Sequence, residues 1–492
     1  MTLAAASSAA QNWRIEPAFS AQETLTNNVN LVTSDSRRSD WVTQLTPSLR
    51  VTEKGARTSL VGFVSLPVLL YARTGGENNN AYPSVDLLGD LTLVENWLHV
   101  EGQVTVSQQY FNPFGGQPLG LENATQNRYQ SDTYRISPYV KGVTPGNVSY
   151  ELRNNNVWTN VHNTPVTSDD FRYTQFKGNA SRMETAIGWQ ADFDVNDVII
   201  NNGDAFRSRL VRFQPVYKID PQLKLLATAG YEENHFPTGD SSNAIYGGAF
   251  EWRPTPRTTV NGSLEHRYFG PGYLFSFDHR TPLSVWTLRI SRNTSSYPQQ
   301  LANLPAGADV SALLNGLFLT TIPDPALRQQ AIDQFIRDRG LPSVLSSPLN
   351  LYSQQVFLQE SQTASVGLLG ARNTVVLTIF NVRSQPISAS GDVLTLPVNF
   401  GDNSRQTGIS LLWSHKLTPS VAVDATIERF RTVANPPLEG TTNQTAVRLA
   451  VSMPLSAKTT VFGGARYQTL SSDVATDYNE AAAFIGITYT FH

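Results

Sequence analysis

The sequence predicts an all-β fold, a transmembrane antiparallel up-and-down β-barrel of about 22 strands with one partly helical loop. Three observations predict this fold. Most of the chain alternates apolar and polar residues with a period of two, which is typical of strands with one apolar face. These segments run for about 10–16 residues, whereas soluble strands average about 5–6 and a bilayer requires about 9–11. Short and long connections also alternate along the chain, as they do in outer-membrane barrels.

The strands are placed from this alternation and from the turns between them, and their number is even, as bacterial barrels require. The predicted strands are 13–31, 41–53, 56–73, 82–94, 96–111, 128–142, 146–158, 169–179, 182–197, 204–219, 222–236, 241–253, 257–269, 272–280, 283–298, 351–370, 373–387, 402–417, 420–434, 443–456, 458–473 and 479–492.

Alternation is clear in both halves of the chain. Along 98–107, Leu, Val and Gly alternate with His, Glu, Gln, Thr and Ser. Along 273–280, aromatic residues alternate with polar and charged ones, and along 421–428 aliphatic residues oppose Asp, Thr and Glu. Segment 169–197 is too long for one strand, and we place its turn at Gly178-Asn179-Ala180.

Five short connections combine Pro or Ser with following β-branched residues, which suits tight hairpins. They are "KIDPQLKL" (218–225), "RPTPRTTV" (253–260), "HRTPLSVW" (279–286), "KLTPSVAV" (416–423) and "PLSAKTTV" (454–461). The strand count puts all of them at one end of the barrel, which predicts the periplasmic end. Longer polar connections such as 112–127 and 158–170 are then extracellular.

Residues 299–350 interrupt the strand pattern and predict a helical insertion within a single barrel domain, 13–492. Asp324 suits an N-cap and Pro325 the first helical turn, while Gly340 and Pro342 end the helix. Strand parity places the insertion on the extracellular side, where it is either a surface cap on neighbouring loops or a lid folded into the lumen. In the second case the expected plug residues are Leu313, Leu327, Phe335 and Ile336.

The bulk composition excludes several classes of protein. A net charge of −3 gives no indication of a nucleic-acid partner, and the absence of Cys fits passage through an oxidising envelope compartment. The longest apolar run, 60–71, is interrupted by Ser65 and Pro67 and is too short for a transmembrane helix. Residues 1–12 are expected to be a signal-peptide remnant or a disordered, Ala-rich terminus.

Several stretches resemble the exosortase/PEP-CTERM-associated outer-membrane β-barrel family, which is found with exopolysaccharide synthesis loci. They include "WRIEPAFSAQETLTNNVNL" (13–31), "DWVTQLTPSLRVTEKGARTSL" (40–60), "LVENWLHVEGQVTVSQQ" (93–109), "YRISPYVKG" (134–142), "YKIDPQLKLLATAGYEEN" (217–234) and "VFLQESQTASVGLLGARNTVVLTIFNVRSQPIS" (356–388). The resemblance implies an outer-membrane location in a Gram-negative envelope and a role in capsule or exopolysaccharide export. It supplies no catalytic residues.

The sequence predicts no enzyme activity, cofactor or metal site. It has no Gly-x-Ser-x-Gly motif, phosphate-binding Gly loop or His-x-x-x-His pair. His266 and His415 lie on or near apolar strand faces, where an interfacial role is expected instead of catalysis.

Polar strand faces predict a hydrated lumen lined by charges of both signs. The pore-lining candidates are Glu101, Arg135, Glu151, Arg153, Glu184, Arg212, Glu265, Arg267, Asp278, Arg280, Arg289, Asp424, Glu428 and Arg466. A dedicated ion pore would have rings of one sign, so mixed charges suit bulky, weakly charged material such as polysaccharide. The alternative is that any wide, wet barrel needs such residues. We also expect the pairs Glu265/Arg267 and Asp278/Arg280 to bridge adjacent strands.

Aromatic residues predict the membrane boundaries and the closing strand. Trp97, Trp252, Trp286 and Trp413 fall near strand ends, as interfacial girdles do. The chain ends in "FIGITYTFH", whose alternate residues Ile485, Ile487, Tyr489 and Phe491 are expected to face lipid. This strand should pair with the one beginning near Trp13, because a barrel in lipid cannot leave an open edge. Tyr489 and Phe491 resemble a barrel-insertion signal displaced by His492.

Three functions are carried forward. The first is an exopolysaccharide export channel that works with periplasmic and inner-membrane synthesis machinery. The second is a passive porin or solute channel, and the third is a scaffold for surface assembly or an unrecognised barrel enzyme. Barrels of this width are plugged. The first strand leaves no room for a plug domain before it, so we expect insertion 299–350 to occlude the pore, helped by 112–127 and 159–168.

Overall fold

The computed structural model describes residues 12–162, 170–183, 186–200, 205–236, 239–302, 310–319, 322–338, 355–388 and 403–491. The strands are β1 (Asn12–Thr26), β2 (Asp40–Lys54), β3 (Thr58–Ser65), β4 (Val68–Tyr71), β5 (Asn80–Ala81), β6 (Ser84–Val94), β7 (Leu98–Tyr110), β8 (Arg128–Val143), β9 (Ser149–His162), β10 (Phe171–Arg182), β11 (Ile187–Ile200), β12 (Ala205–Lys218), β13 (Leu223–Phe236), β14 (Gly239–Thr255), β15 (Thr258–Arg267), β16 (Gly270–Arg280), β17 (Ser284–Ser296), β18 (Val356–Leu369), β19 (Asn373–Pro386), β20 (Ser404–Lys416), β21 (Ala422–Ala434), β22 (Thr441–Pro454), β23 (Thr459–Ser472) and β24 (Tyr478–Thr490). The helices are α1 (Gly75–Asn78), α2 (Tyr297–Ala302), α3 (Val310–Phe318) and α4 (Pro325–Asp338).

The strands form one closed antiparallel barrel with 22 wall positions, because the 24 strands include two broken ones. β3 and β4 follow one another along β2, and β5 and β6 follow one another along them. β1 pairs with β24 from Ala18 opposite Thr490 to Thr26 opposite Ala482, which closes the barrel. The predicted fold class is therefore confirmed, as is the pairing of the first and last strands.

The break between β3 and β4 falls at Leu66-Pro67, inside the strand predicted at 56–73. Pro67 has no N–H to donate, so the ladder cannot continue through it. Its carbonyl still accepts a hydrogen bond from the Tyr82 amide at 2.9 Å, which keeps the two wall positions together.

The turn predicted at Gly178-Asn179-Ala180 is wrong, since β10 continues to Arg182 and β11 begins at Ile187. Gly178 has a packing role inside the strand instead. A Cβ at this position would lie 2.4 Å from the Phe193 ring and 2.5 Å from Leu152, so glycine makes room for two large outward-facing side chains. A Gly within a strand often marks such a close approach.

Each strand has one outward and one inward face. Along β24, Ile485, Ile487, Tyr489 and Phe491 are exposed by 66, 43, 40 and 51%, whereas the intervening residues point inward. Trp97, Trp252, Trp286 and Trp413 are also exposed, by 47, 43, 44 and 36%, close to the short-turn end. An exposed apolar face on every side of a closed barrel is suited to lipid and not to water.

Side-chain oxygens close the short turns. The Asp220 carboxylate accepts the amides of Gln222 and Leu223 at 2.7 and 2.8 Å. The Thr418 hydroxyl accepts those of Ser420 and Val421 at 3.2 and 2.9 Å. Such Asx and Ser/Thr turns replace backbone partners, which explains why Asp, Ser and Thr accompany Pro in these connections.

Candidate channel interior

The connection from β7 to β8, residues 112–127, folds against the inner face of the barrel, and we call it the inner loop. The Thr432 and Thr442 hydroxyls donate to the carbonyls of Pro113 and Phe114 at 3.0 and 3.1 Å. The Gln117 amide donates to Gln444 Oε1 at 3.1 Å. These wall residues belong to β21 and β22, so the inner loop reaches a part of the wall far from its own strands.

Asn127 fixes the base of the inner loop. Its Oδ1 accepts the Asn112 amide at 2.9 Å, and its Nδ2 donates to the carbonyls of Asn112 and Gly116 at 3.0 and 3.2 Å. One side chain thereby joins the two ends of the loop. Asn is well suited to such turns because it can mimic backbone donors and acceptors.

A buried charge cluster holds the middle of the inner loop. Arg466 on β23 pairs with Glu122 of the loop and with Glu480 on β24, whose Oε1 lies 2.8 Å from Arg466 Nη2. Arg466 Nη2 also donates to Asn123 Oδ1 at 2.9 Å, and Gln468 Nε2 donates to the same oxygen at 3.0 Å. Buried charges are tolerated when paired and hydrogen-bonded in this way.

The electrostatics of Glu122 show that pairing dominates over burial. Burial alone raises the pKa of this carboxyl, but the Arg466 charge and the hydrogen bonds outweigh it and hold the pKa below the ordinary value of 4.5. The Tyr71 hydroxyl donates to the Glu122 carbonyl at 3.1 Å, which adds a further contact to β4. The Glu122 carboxyl is therefore ionised at neutral pH, and its charge holds the inner loop to Arg466.

The helical insertion also lies on the inner face. Leu314 and Leu317 of α3 and Ile332 of α4 are buried against Val376 of β19 and Leu412 of β20. Phe335 and Ile336 pack on this cluster, and Leu369 and Val285 line it from β18 and β17. These wall residues lie near the short turns, so α3 and α4 occupy the periplasmic half of the interior. α4 also approaches β22 and β23.

The expected plug residues on α4 differ in their burial. Leu327 is 55% exposed, while Ile332 is fully buried. Arg328 takes the buried position beside it, and its Nη1 donates to the carbonyls of Ile322 and Pro323 at 2.9 Å each. The side chain of Leu313 lies outside the described residues. A role of these residues in plugging stays a prediction.

Aromatic clusters pack the extracellular end. Tyr297 of α2 is buried against Tyr129 of β8, Val161 of β9 and Phe171 of β10, and its ring meets that of Phe171 edge-on at 5.3 Å. A second cluster joins β13 and the β15–β16 turn to β18: Phe236, Tyr268, Phe269, Val356, Leu358 and Ile387. The first cluster fixes α2 against three neighbouring strands, and the second joins parts of the wall that are not neighbours in the sheet.

The inner face of β7–β17, which we call the polar wall, carries paired charges that stay partly exposed. Arg135 lies 2.5 Å from Glu101, and Arg153 lies 3.6 Å from Glu101 and 3.1 Å from Glu151. The Arg153 guanidinium also lies 3.9 Å from the centre of the Tyr139 ring. Side chains of both signs thus neutralise one another across three neighbouring strands.

A longer bridge spans five strands of the polar wall, from β11 to β15. Arg212 on β12 lies 3.3 Å from Asp192 on β11 and 3.3 Å from Glu265 on β15. The strands between carry Gly230 and Gly247, where an added Cβ would lie 2.3 and 2.1 Å from neighbouring backbone oxygens. The missing side chains leave a groove along which Arg212 extends.

The predicted ion pairs Glu265/Arg267 and Asp278/Arg280 are both wrong. Arg267 pairs with the buried Glu232 through contacts of 2.9 and 2.7 Å, not with Glu265. Asp278 pairs with Arg289 at 2.7 Å, not with Arg280, which is exposed. The buried Glu232 of β13 takes the Arg267 guanidinium, and the register brings Arg289 of β17 within reach of Asp278.

The remaining candidates are placed as follows. Asp424 and Glu428 are buried on the inner face of β21, and Glu184 lies outside the described residues. Sequence reasoning missed Glu122, Glu232 and Glu480. Glu232 and Glu480 lie on inward positions of alternating strands and could have been found, whereas Glu122 lies in a loop without a periodic signal. The pore-lining role of the whole set stays a prediction.

Within the ranges that the structure describes, no helix is long and apolar enough to span a membrane. No group of three or more His, Asp or Glu side chains there could hold a metal ion. His266 and His415 lie on outward positions, stacked on Tyr246 and Trp413 at 4.9 and 5.7 Å between ring centres.

The fold is similar to that of solved outer-membrane proteins. The FrpB iron transporter from Neisseria meningitidis (F5-1 variant, apoprotein form) is 9% identical, with a TM-score of 0.51, over 97% of this chain and 81% of the transporter. A second FrpB structure of this variant gives 8%, 0.51, 97% and 82%. The outer membrane protein opdK from Pseudomonas aeruginosa is 8% identical over 97% of this chain and 99% of opdK, with a TM-score of 0.35.

No protein-family model and no curated protein matches the sequence, so the resemblance to the exosortase/PEP-CTERM-associated family stays a prediction. At such low identity the FrpB likeness shows the fold alone, which is the fold of an outer-membrane transporter barrel. Together with 22 wall positions, the apolar exterior and the aromatic boundary, this fold makes the chain an integral β-barrel of the bacterial outer membrane.

Proposed function

We propose that this barrel is a gated channel that exports exopolysaccharide, together with periplasmic and inner-membrane synthesis machinery. One observation carries the gating: the inner loop and α3–α4 both pack on the inner face of β17–β24. Both occupy space that an open pore of this width would leave to water. In this role the inner loop and α3–α4 close the lumen between rounds of export.

The chemistry of the polar wall supports a bulky, weakly charged cargo. Its charges form mixed pairs such as Arg135–Glu101 and Arg212–Asp192, and uncharged amides lie between them. For example, Asn155 donates to Gln175 at 2.7 Å. Neutralised, hydrogen-bonding walls allow a hydroxyl-rich polymer to exchange contacts as it moves, without binding it tightly. The resemblance to an exopolysaccharide-associated family adds the cargo class.

Planar-bilayer recording tests the gating. The purified chain should show rare openings, and deletion of residues 305–345 should give a steadily open pore. A deletion of 474–476, in the β23–β24 connection, controls for the effect of shortening a loop. Free conductance by the intact chain, unchanged by the 305–345 deletion, would support a passive porin and contradict the gate.

Secretion tests the cargo separately. A strain without the gene should release less exopolysaccharide, and complementation with the intact chain should restore it. Unchanged secretion contradicts export even if the pore proves gated, and it would favour a solute channel or an assembly scaffold.

A further inference from the structure

The outward face of β19–β21 carries a cluster of arginines close to the extracellular end. Arg383 faces Arg405 directly across the β19–β20 ladder. On β21, Arg429 and Arg431 stand opposite Ile409 and Thr407 of β20. The last three arginines are exposed, and all four lie on outward strand positions. We call these four residues the outer arginine patch.

The outer arginine patch is poor in acids. Its only acidic neighbour across a ladder, among the residues that the structure describes, is Glu360, which faces Arg383. Glu360 is already paired with Arg292 of β17 at 3.1 Å. Arg405 donates to the neutral Asn381 Oδ1 at 2.8 Å, and no described carboxylate forms an ion pair with Arg405, Arg429 or Arg431. The patch therefore has an excess of positive charge.

Two outward arginines of β12 at the same end are neutralised by the protein itself. On β12, Arg207 lies 2.5 Å from Asp197, and Arg209 lies 3.8 Å from Glu233. Both acids come from the neighbouring strands β11 and β13. The exposed arginines of β12 are thus paired with acids of the protein, whereas, within the described ranges, Arg405, Arg429 and Arg431 are not.

The patch lies at the height of the outer lipid headgroups. Trp413 marks the periplasmic boundary on β20, and Arg405 lies eight positions before it. With a rise of about 3.4 Å per residue and a tilt near 40°, this is about 20 Å along the membrane normal, close to the apolar band of about 25 Å. The apolar Ile409 and Ile427, exposed by 43 and 44%, lie between the patch and the membrane centre.

We propose that the outer arginine patch binds the phosphate groups of a phosphorylated glycolipid in the outer leaflet. Planar guanidinium groups suit phosphate because they donate paired hydrogen bonds and stay charged at all physiological pH values. Adjacent cations repel one another when unpaired, and an anionic headgroup relieves this repulsion. The site faces lipid, so it acts independently of the transport function.

The test compares lipid A, which carries phosphates, with its dephosphorylated form on the purified full chain in detergent, by native mass spectrometry. R405Q/R429Q/R431Q should weaken binding of phosphorylated lipid A about 100-fold, from roughly 1 kcal/mol per surface cation. R207Q/R209Q, in which the arginines are already paired, should leave binding almost unchanged.

Three results would overturn the proposal: equal binding of dephosphorylated lipid A, full binding by the triple variant, or equal loss in the control variant. If millimolar inorganic phosphate alone displaces lipid A, the ligand of the patch is a free anion and not the lipid. Binding of a soluble acidic polysaccharide through the same arginines, without binding of lipid A, would assign the patch to a polymer instead.

Discussion

Arg466 joins two carboxylates that have no other cationic partner within ion-pair distance among the described residues, Glu122 of the inner loop and Glu480 of β24. Replacing it by Gln leaves both buried charges uncompensated. We expect Arg466→Gln to lower the free energy of unfolding by about 3–5 kcal/mol, measured by thermal or denaturant unfolding in detergent. Arg289→Gln, which breaks the half-exposed pair with Asp278, should cost less than about 1 kcal/mol. Equal losses of unfolding free energy in both variants would contradict the expectation that breaking the buried ion pairs costs more than breaking the half-exposed one.

Glu122 also gives the inner loop a pH dependence. Burial raises its pKa, but Arg466 and the hydrogen bonds outweigh burial, so the folded pKa lies below 4.5. A depressed carboxyl pKa contributes stability that is fully present above the unfolded value and is lost as pH falls through the folded one. We therefore expect the loop to stay docked from neutral pH down to about 4.5 and to detach in more acidic solution.

A fluorescent label on the inner loop, quenched by a Trp introduced on β22, would follow detachment. Glu122→Gln removes the ionisation and should flatten the acid transition. Persistence of the same transition in that variant would assign it to another group.

At the scale of single residues, the sequence predicts which strand residues point inward but not which of them contact one another. Arg212 and Glu265 are both found by alternation, yet their contact depends on two intervening glycines. Glu122 is not predicted at all, because the conformation of a loop depends on tertiary contacts and its sequence carries no apolar–polar alternation. Partner choice is a property of the register and of the space between strands.

The helical insertion is the element whose packing can be tested most directly. Leu314 and Ile332 are fully buried between α3, α4 and the wall. Leu314→Ala or Ile332→Ala should weaken docking by about 2–5 kcal/mol through lost apolar burial and the cavity left behind. We expect faster protease cleavage within α3–α4 and more frequent channel opening, with the barrel's own unfolding temperature unchanged.

Leu327→Ala is the matched control, because Leu327 lies on the same helix and is 55% exposed. It should leave cleavage and opening unchanged. If it acts like Ile332→Ala, the helices do not pack with Ile332 buried and Leu327 exposed.

For the elements, sequence periodicity and turn chemistry are sufficient to predict most strands, since lipid on one face and water on the other impose strict alternation. Periodicity and turn chemistry fail where the role of a residue depends on side chains or carbonyls that pack against it in the folded barrel. Gly178 reads as a turn but makes room for Phe193, and Arg328 takes a buried helical position because it caps carbonyls of the preceding segment. Such local exceptions require knowledge of the packed partner.

At the scale of the whole molecule, the interior divides into a covered side and a polar wall. The inner loop and α3–α4 cover parts of β17–β24, whereas β7–β17 present paired charges. Closure by β1 and β24 could be predicted, because lipid excludes an open edge. The covered side could not be predicted in detail, since the sequence leaves open whether an insertion folds inward or outward.

The polar wall determines the ion selectivity expected of the opened channel. Its charges are of both signs and largely paired, so the pore without residues 305–345 should discriminate weakly between K⁺ and Cl⁻. Replacing Asp192 and Glu265 by Asn and Gln leaves Arg212 without its acids and should shift the reversal potential toward anion preference in a KCl gradient. Exchanging the outward Asp197 and Glu233 in the same way controls for net charge and should change it little, because those side chains face away from the lumen. Strong selectivity before any substitution, or an equal shift in the control, would mean that ions do not pass along the polar wall.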